Sequence, residues 1–215
     1  MSLVCFQNSG YVPLLLVTAL FTGQTRQTLF VYIFLFGIGF DLMLWTLGVW
    51  LLTQQKAGKV ELRNLLNLPF AATVFSLLLI FFGWHQWIPQ TILTPIKLFG
   101  DCALPVAVMV VGGNLAGTNL VQIEKREISL LILTKLVLMP TVALFAILKF
   151  HVEYLLGYFI LLEAASPSAV SLSVIARHYR TNEKFINRGI FFSHVLSVIT
   201  IPVYLTLYAY LANSL

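Results

Sequence analysis

Asn8-Ser9-Gly10-Tyr11-Val12-Pro13 interrupts an apolar run that extends from Leu3 to Phe21. A second interruption lies near the other end of the chain. Glu163, Ser166, Pro167, Ser168, Ser171 and Ser173 fall inside an apolar run from Leu155 to Ala176. A proline removes one backbone donor and frees a carbonyl. In hydrocarbon such groups need a partner, so a broken helix must be buried in protein or line a wet cavity. Two broken helices, each with clustered small polar residues, are the usual pointer to a transporter's midplane site.

The composition puts these runs in a membrane. Of 215 residues, 59% are hydrophobic and 10% charged, against about 25% charged in an ordinary soluble domain. The mean hydropathy is +0.91. Too few charged side chains are present to cover a soluble globule, which argues against a soluble enzyme, a disordered chain and a nucleic-acid-binding domain. A transmembrane barrel does not fit either, because its strands alternate apolar and polar residues. Cys5 and Cys102 both lie in apolar runs and read as small buried hydrophobes, with no disulfide framework and no CxxC spacing.

A spanning helix needs about 20 mostly apolar residues, so this length holds about seven. The candidate spans are Leu3–Phe21, Leu29–Leu52, Leu68–Phe82, Ile92–Ala116, Leu130–Phe150, Leu155–Ala176 and Ile186–Leu211. The expected fold is therefore an all-α, multi-pass membrane protein with the first and sixth spans broken. No connecting stretch is long enough for a separate soluble domain. Lys and Arg mark the cytoplasmic side. Lys56, Lys59 and Arg63, then Lys125 and Arg126, then Arg177, Arg180, Lys184 and Arg188 occupy alternate loops, while the other loops hold only Arg26 and Lys149. This places the loops after the second, fourth and sixth spans inside and the C-terminus outside, in the cell (inner) membrane. Trp84 and Trp87 suit an outer interfacial belt.

Charges within spans are costly, so each needs a task or a partner. They are Asp41, Lys97, Asp101, Lys135 and Glu163, with His194 in the last span. Lys97 and Asp101 are four apart and can pair on one helix face. Glu163 lies one turn before Pro167 and reads either as a proton- or substrate-linked acid or as a neutral, hydrogen-bonded one. His194 reads either as a proton relay or as a satisfied packing histidine. Asp101, Glu163 and His194 are the candidates for proton or ion coupling. The chain has no GxSxG elbow, HExxH, Walker loop or clustered metal spacing, and Gly37-Ile38-Gly39 reads as close helix packing. No cofactor, metal or nucleic-acid partner is expected.

At these residues a family suggests itself. Asn8-Ser9-Gly10-Tyr11-Val12-Pro13 resembles the fourth-helix motif of the auxin efflux carrier family of membrane transporters. Gly100-Asp101-Cys102-Ala103-Leu104-Pro105 is similar to its seventh-helix pattern, and Pro167 to Ala176 followed by Arg177-His178-Tyr179 to its broken ninth helix. His194 to Pro202 resembles its tenth helix. The resemblance implies helices four to ten of a carrier built from two inverted five-helix repeats, in which helices four and nine cross. Residues 1–53 would end the first repeat, 54–67 would form a short cytoplasmic loop, and 68–215 would be the second repeat. The family's first three helices have no counterpart, which implies an incomplete or truncated form. Where the family often has an asparagine after the second proline, this chain has Ser171.

The resemblance implies a secondary-active efflux permease for a small organic anion, embedded in lipid and compatible with a homodimer. Asn8, Gly10, Pro13, Pro167, Ser168 and Ser171 would bind substrate. Two other readings compete with it. One is a non-transporting fragment. The other is an intramembrane enzyme using Glu163 and His194, which needs both side chains at one wet site. A seven-helix receptor would want the opposite orientation.

Overall fold

A computed structural model describes residues 2–49, 51, 68–116, 125–180 and 183–212. The helices are α1 (Ser2–Cys5), α2 (Tyr11–Leu20), α3 (Gly23–Met43), α4 (Leu68–Phe81), α5 (Gln90–Ala116), α6 (Lys125–Ile132), α7 (Met139–Lys149), α8 (Tyr154–Ala165), α9 (Ser171–His178) and α10 (Glu183–Ala212). The described parts of all seven apolar runs are helical, and both expected breaks are present, between α1 and α2 and between α8 and α9. The short cytoplasmic loop expected at 54–67, with Lys56, Lys59 and Arg63, lies outside the described residues. Among the described residues, three continuous helices are long and apolar enough to cross a membrane: Gly23–Met43, Lys125–Lys149 and Glu183–Ala212.

The surface is that of a protein in oil. Phe81, Phe99 and Trp87 are at least 80% exposed, while Asn8, Ser9, Ser166, Ser168, Lys135, Glu163 and Arg188 are buried. Water would penalise both halves of that pattern, whereas a bilayer favours it. Together with the helical content it makes this an all-α membrane protein.

Two wide turns interrupt the regular winding of the long helices. The backbone of α3 runs on through a π turn at Leu44–Gly48, and Leu133–Leu138 is a π turn that joins α6 to α7. The second precedes Pro140, which has no N–H to continue the ladder. The Val137 carbonyl there accepts the hydroxyls of Thr141 at 2.6 Å and Tyr204 at 2.9 Å. These hydroxyls tie the turn to α10.

The core has two lobes. One joins Val17, Leu29, Ile33, Leu161, Leu162, Ala165 and Tyr208. The other joins Leu3, Phe6, Leu44, Ala169, Leu172, Ile175 and Ile190. The first lobe therefore uses residues after the first break and before the second. The other lobe uses residues before the first break and after the second. The broken helices run antiparallel and cross between the lobes, and α10 contributes to both.

Close approach is built with glycine at two places. A Cβ on Gly157 would fall on the Tyr208 hydroxyl and 2.8 Å from Ile147 Cγ2, and one on Gly189 would meet Leu3 at 2.6 Å. Gly37 and Gly39, read from the sequence as close-packing glycines, have open space where a Cβ would be. Cys5 and Cys102 are free thiols, but exposed rather than buried, because this surface is itself apolar. Arg188, counted among loop charges, is buried inside α10.

Candidate functional site at the helix crossing

The crossing is stitched through its backbone. The Asn8 amide donates to the Pro167 carbonyl at 2.7 Å, and the Ala169 amide donates to the Phe6 carbonyl at 2.9 Å. Gln7 and Ser168 thus form an antiparallel bridge. The Ser168 hydroxyl donates to the Leu3 carbonyl at 2.7 Å, and its amide donates to Ser193 Oγ at 3.2 Å. Ser166 Oγ donates to the Leu162 carbonyl at 2.8 Å, within the last turn of α8. The groups set free by the two breaks therefore satisfy each other, as burial in an apolar medium demands.

Beside the bridge lies a cavity of about 300 Å³. Gln7, Asn8, Ser9, Gly10 and Tyr11 line it from the first break, and Val170 and Ser171 from the second; Asp41 and Trp45 close it from the α3 side. The N-terminal ends of α2 and α9 both open on this cavity. Helix N-termini carry partial positive charge and unpaired N–H groups, so two of them on one cavity favour an anion. Asp41 adds a carboxyl on the opposite wall.

The six residues expected to bind substrate divide into two groups. Asn8, Gly10 and Ser171 line the cavity. Pro13, Pro167 and Ser168 are buried behind it and hold the backbone in its crossing geometry. Asn8 is tied on both sides: its Oδ1 accepts the Tyr11 amide at 3.2 Å, and its Nδ2 lies 3.1 Å from His194 Nε2.

The three coupling candidates are not brought together. Glu163 is 4% exposed in α8, and among the described residues neither carboxyl oxygen has a hydrogen-bond partner. The Gln7 side chain reaches towards it, and Lys135, 2% exposed in the π turn, is its charged neighbour. His194 is absent from that group and contacts the crossing through Asn8 instead. Asp101 is exposed on α5, outside the cavity wall. Lys97 and Asp101 form no ion pair among the described residues, and both side chains point outward.

Sequence reasoning missed Gln7, Trp45 and the proximity of Lys135 to Glu163. The last had a signal: two opposite charges in spans, each without a partner on its own helix. Gln7 had none, since one amide at the edge of a motif does not stand out.

The model of the family described as membrane transport protein matches residues 1–205 of the chain. The chain belongs to this family. A curated relative, Protein PIN-LIKES 1 of Arabidopsis thaliana, is 24% identical over 182 residues, covering 76% of this chain and 39% of the relative. The chain thus spans well under half of that relative's length. No solved structure matches it significantly. Family membership agrees with the resemblance carried by Asn8 to Pro13 and by Pro167 to Tyr179, and makes the chain an integral membrane protein of a transporter family.

Proposed function

We propose that the chain forms the helix-four-to-ten portion of a secondary-active efflux carrier, and that a small organic anion binds at the crossing. The observation that carries this reading is the cavity into which two half-helix N-termini open, lined by Asn8, Gly10 and Ser171 and, among the described residues, by no Lys or Arg. Backbone dipoles there would replace the water of a carboxylate without holding it too tightly to leave. Residues 1–53 and 68–215 would be the end of one inverted repeat and the whole of the other. The C-terminus would face out of the cell membrane, and a dimer would match the resemblance.

Glu163 and His194 share no hydrogen bond among the described residues, and His194 is held by the Ile190 carbonyl and Asn8 instead, so nothing in this arrangement favours the enzyme reading. Glu163 and Lys135 would instead hold a buried charge balance behind the crossing, and Asp101 would act from the α5 side.

Uptake of radiolabelled benzoate and succinate into proteoliposomes of the purified chain tests the proposal. Removing a hydrogen bond to a charged group costs about 1.5–3 kcal/mol, which is about a tenfold to hundredfold loss of affinity. Asn8→Ala should lose flux on that scale while inserting normally. Unchanged flux would remove Asn8 from the site. No saturable uptake of either acid would reject transport of these anions by this chain.

A further inference from the structure

His194 sits on α10, 186 residues from Asn8 in sequence, and its imidazole bridges two elements. Nδ1 is 2.8 Å from the Ile190 carbonyl and Nε2 is 3.1 Å from Asn8 Nδ2. A carbonyl only accepts and an amide NH2 only donates. The two contacts therefore assign one state: Nδ1 carries the proton, Nε2 offers its lone pair, and the ring is neutral. The Asn8 amide is assigned by the same logic, because its Oδ1 takes the Tyr11 N–H. A single chain of bonds runs from the Ile190 carbonyl through His194 and Asn8 to the first amide of α2.

That chain cannot survive a second proton on the ring. A protonated Nε2 presents an N–H to an NH2 group, and two donors repel. The Asn8 amide must turn over to give Oδ1 to His194, which takes Oδ1 away from the Tyr11 amide. The Tyr11 N–H and the Asn8 NH2 are then both donors without acceptors, on the wall of the crossing cavity. An anion supplies what they lack.

We infer that His194 is the positioning residue of the crossing site: neutral, it makes Asn8 cap α2, and with a proton taken from water it turns Asn8 over and opens the helix end to an anion. The inference rests on the anion reading above. Proton and anion then bind together, and anion affinity falls as pH rises through the titration of the ring, by about tenfold per pH unit for one linked proton. Among the described residues, Asp41 on the α3 side shares the cavity with Asn8 and Tyr11, Lys135 and Glu163 are buried neighbours behind the crossing, and Asp101 is exposed on α5, outside the cavity wall. The hydrogen bonds of the ring itself go to the Ile190 carbonyl and to Asn8.

The test is nitrogen NMR of the full chain in nanodiscs with labelled histidine, the His194 signal being assigned by its loss in His194→Gln. The expected signature at high pH is protonated Nδ1 with bare Nε2. Protonated Nε2 with bare Nδ1 would overturn the inference. Asn8→Asp keeps an acceptor for Tyr11 but puts a carboxylate against Nε2. It should hold the ring doubly protonated at a pH where the wild-type ring is neutral, and a ring still neutral there would also overturn it. Benzoate binding, followed across pH by calorimetry, adds the functional arm. Wild type should lose affinity with rising pH and His194→Gln should lose that slope; an unchanged slope rejects the linkage. Absence of benzoate binding at every pH, with the expected tautomer present, rejects the anion site and the linkage with it, and so separates the two failures.

Discussion

The two breaks solve one problem with different chemistry. At the first, between α1 and α2, a single side chain does most of the work. Asn8 caps the Tyr11 amide with one end and meets His194 with the other. At the second, between α8 and α9, no side chain caps the new helix. Buried hydroxyls hold the region instead, with Lys135 a charged neighbour of Glu163. The first positive helix end is thus closed by an amide that can turn, and the second is closed by its own backbone, the Leu172 and Ser173 amides donating to the Ala169 and Val170 carbonyls, beside a fixed framework. A site that must bind and release gains from this inequality, because only one half has to move.

The sharpest way to break this contrast is to unbalance the fixed half. Lys135→Met removes the cation that neighbours the buried Glu163 carboxyl, and breaking a buried pair outright costs about 3–5 kcal/mol, so a loss approaching about 3 kcal/mol is expected. Detergent or urea unfolding in micelles should show that loss, and the double variant Lys135→Met, Glu163→Leu should recover most of it. An undiminished single variant would mean the two charges do not depend on each other.

Next comes Ser168→Ala, which leaves the Leu3 carbonyl buried without its 2.7 Å donor. A stranded buried acceptor costs about 1–3 kcal/mol, read in the same unfolding measurement. Asn8→Ala should cost about 1 kcal/mol of stability, the usual worth of a helix cap. Its larger effect should fall on anion binding. If it costs more stability than Ser168→Ala, the first break is the rigid one and the contrast is reversed.

The smallest expected change is Ser171→Ala. Ser171 is half-buried at the cavity wall and no side-chain cap holds α9 there. Its stability should stay within about 0.5 kcal/mol of wild type, so any loss of benzoate affinity would belong to the site rather than the fold.

Much of this architecture is legible from residue order alone. Long apolar runs, Pro167 among serines and Asn8-Ser9-Gly10 before Pro13 are local signals, and lipid leaves few ways to satisfy a backbone. Contacts between distant segments are not local signals. Lys135 comes near Glu163, and Asn8 meets His194, only because α6 to α10 pack in one particular rotation. The π turns were equally hidden, since one extra residue per turn leaves no mark on an apolar pattern. Cys5, Gly37 and Gly39 were misread for a shared reason. In a membrane protein an apolar neighbourhood does not mean burial, so small residues cannot be placed by hydrophobicity.

The bridge between Gln7 and Ser168 also carries a consequence for biosynthesis. Residues near the start of the chain find their backbone partners at Pro167 and Ser168, about four-fifths of the way along. A chain emerging from the ribosome at about 5–20 residues per second makes its first break many seconds before those partners exist. Until then the amide of Asn8 and the carbonyls of Leu3 and Phe6 need other partners, from water or from a provisional run of helix. The crossing itself can close only once the sixth span has emerged.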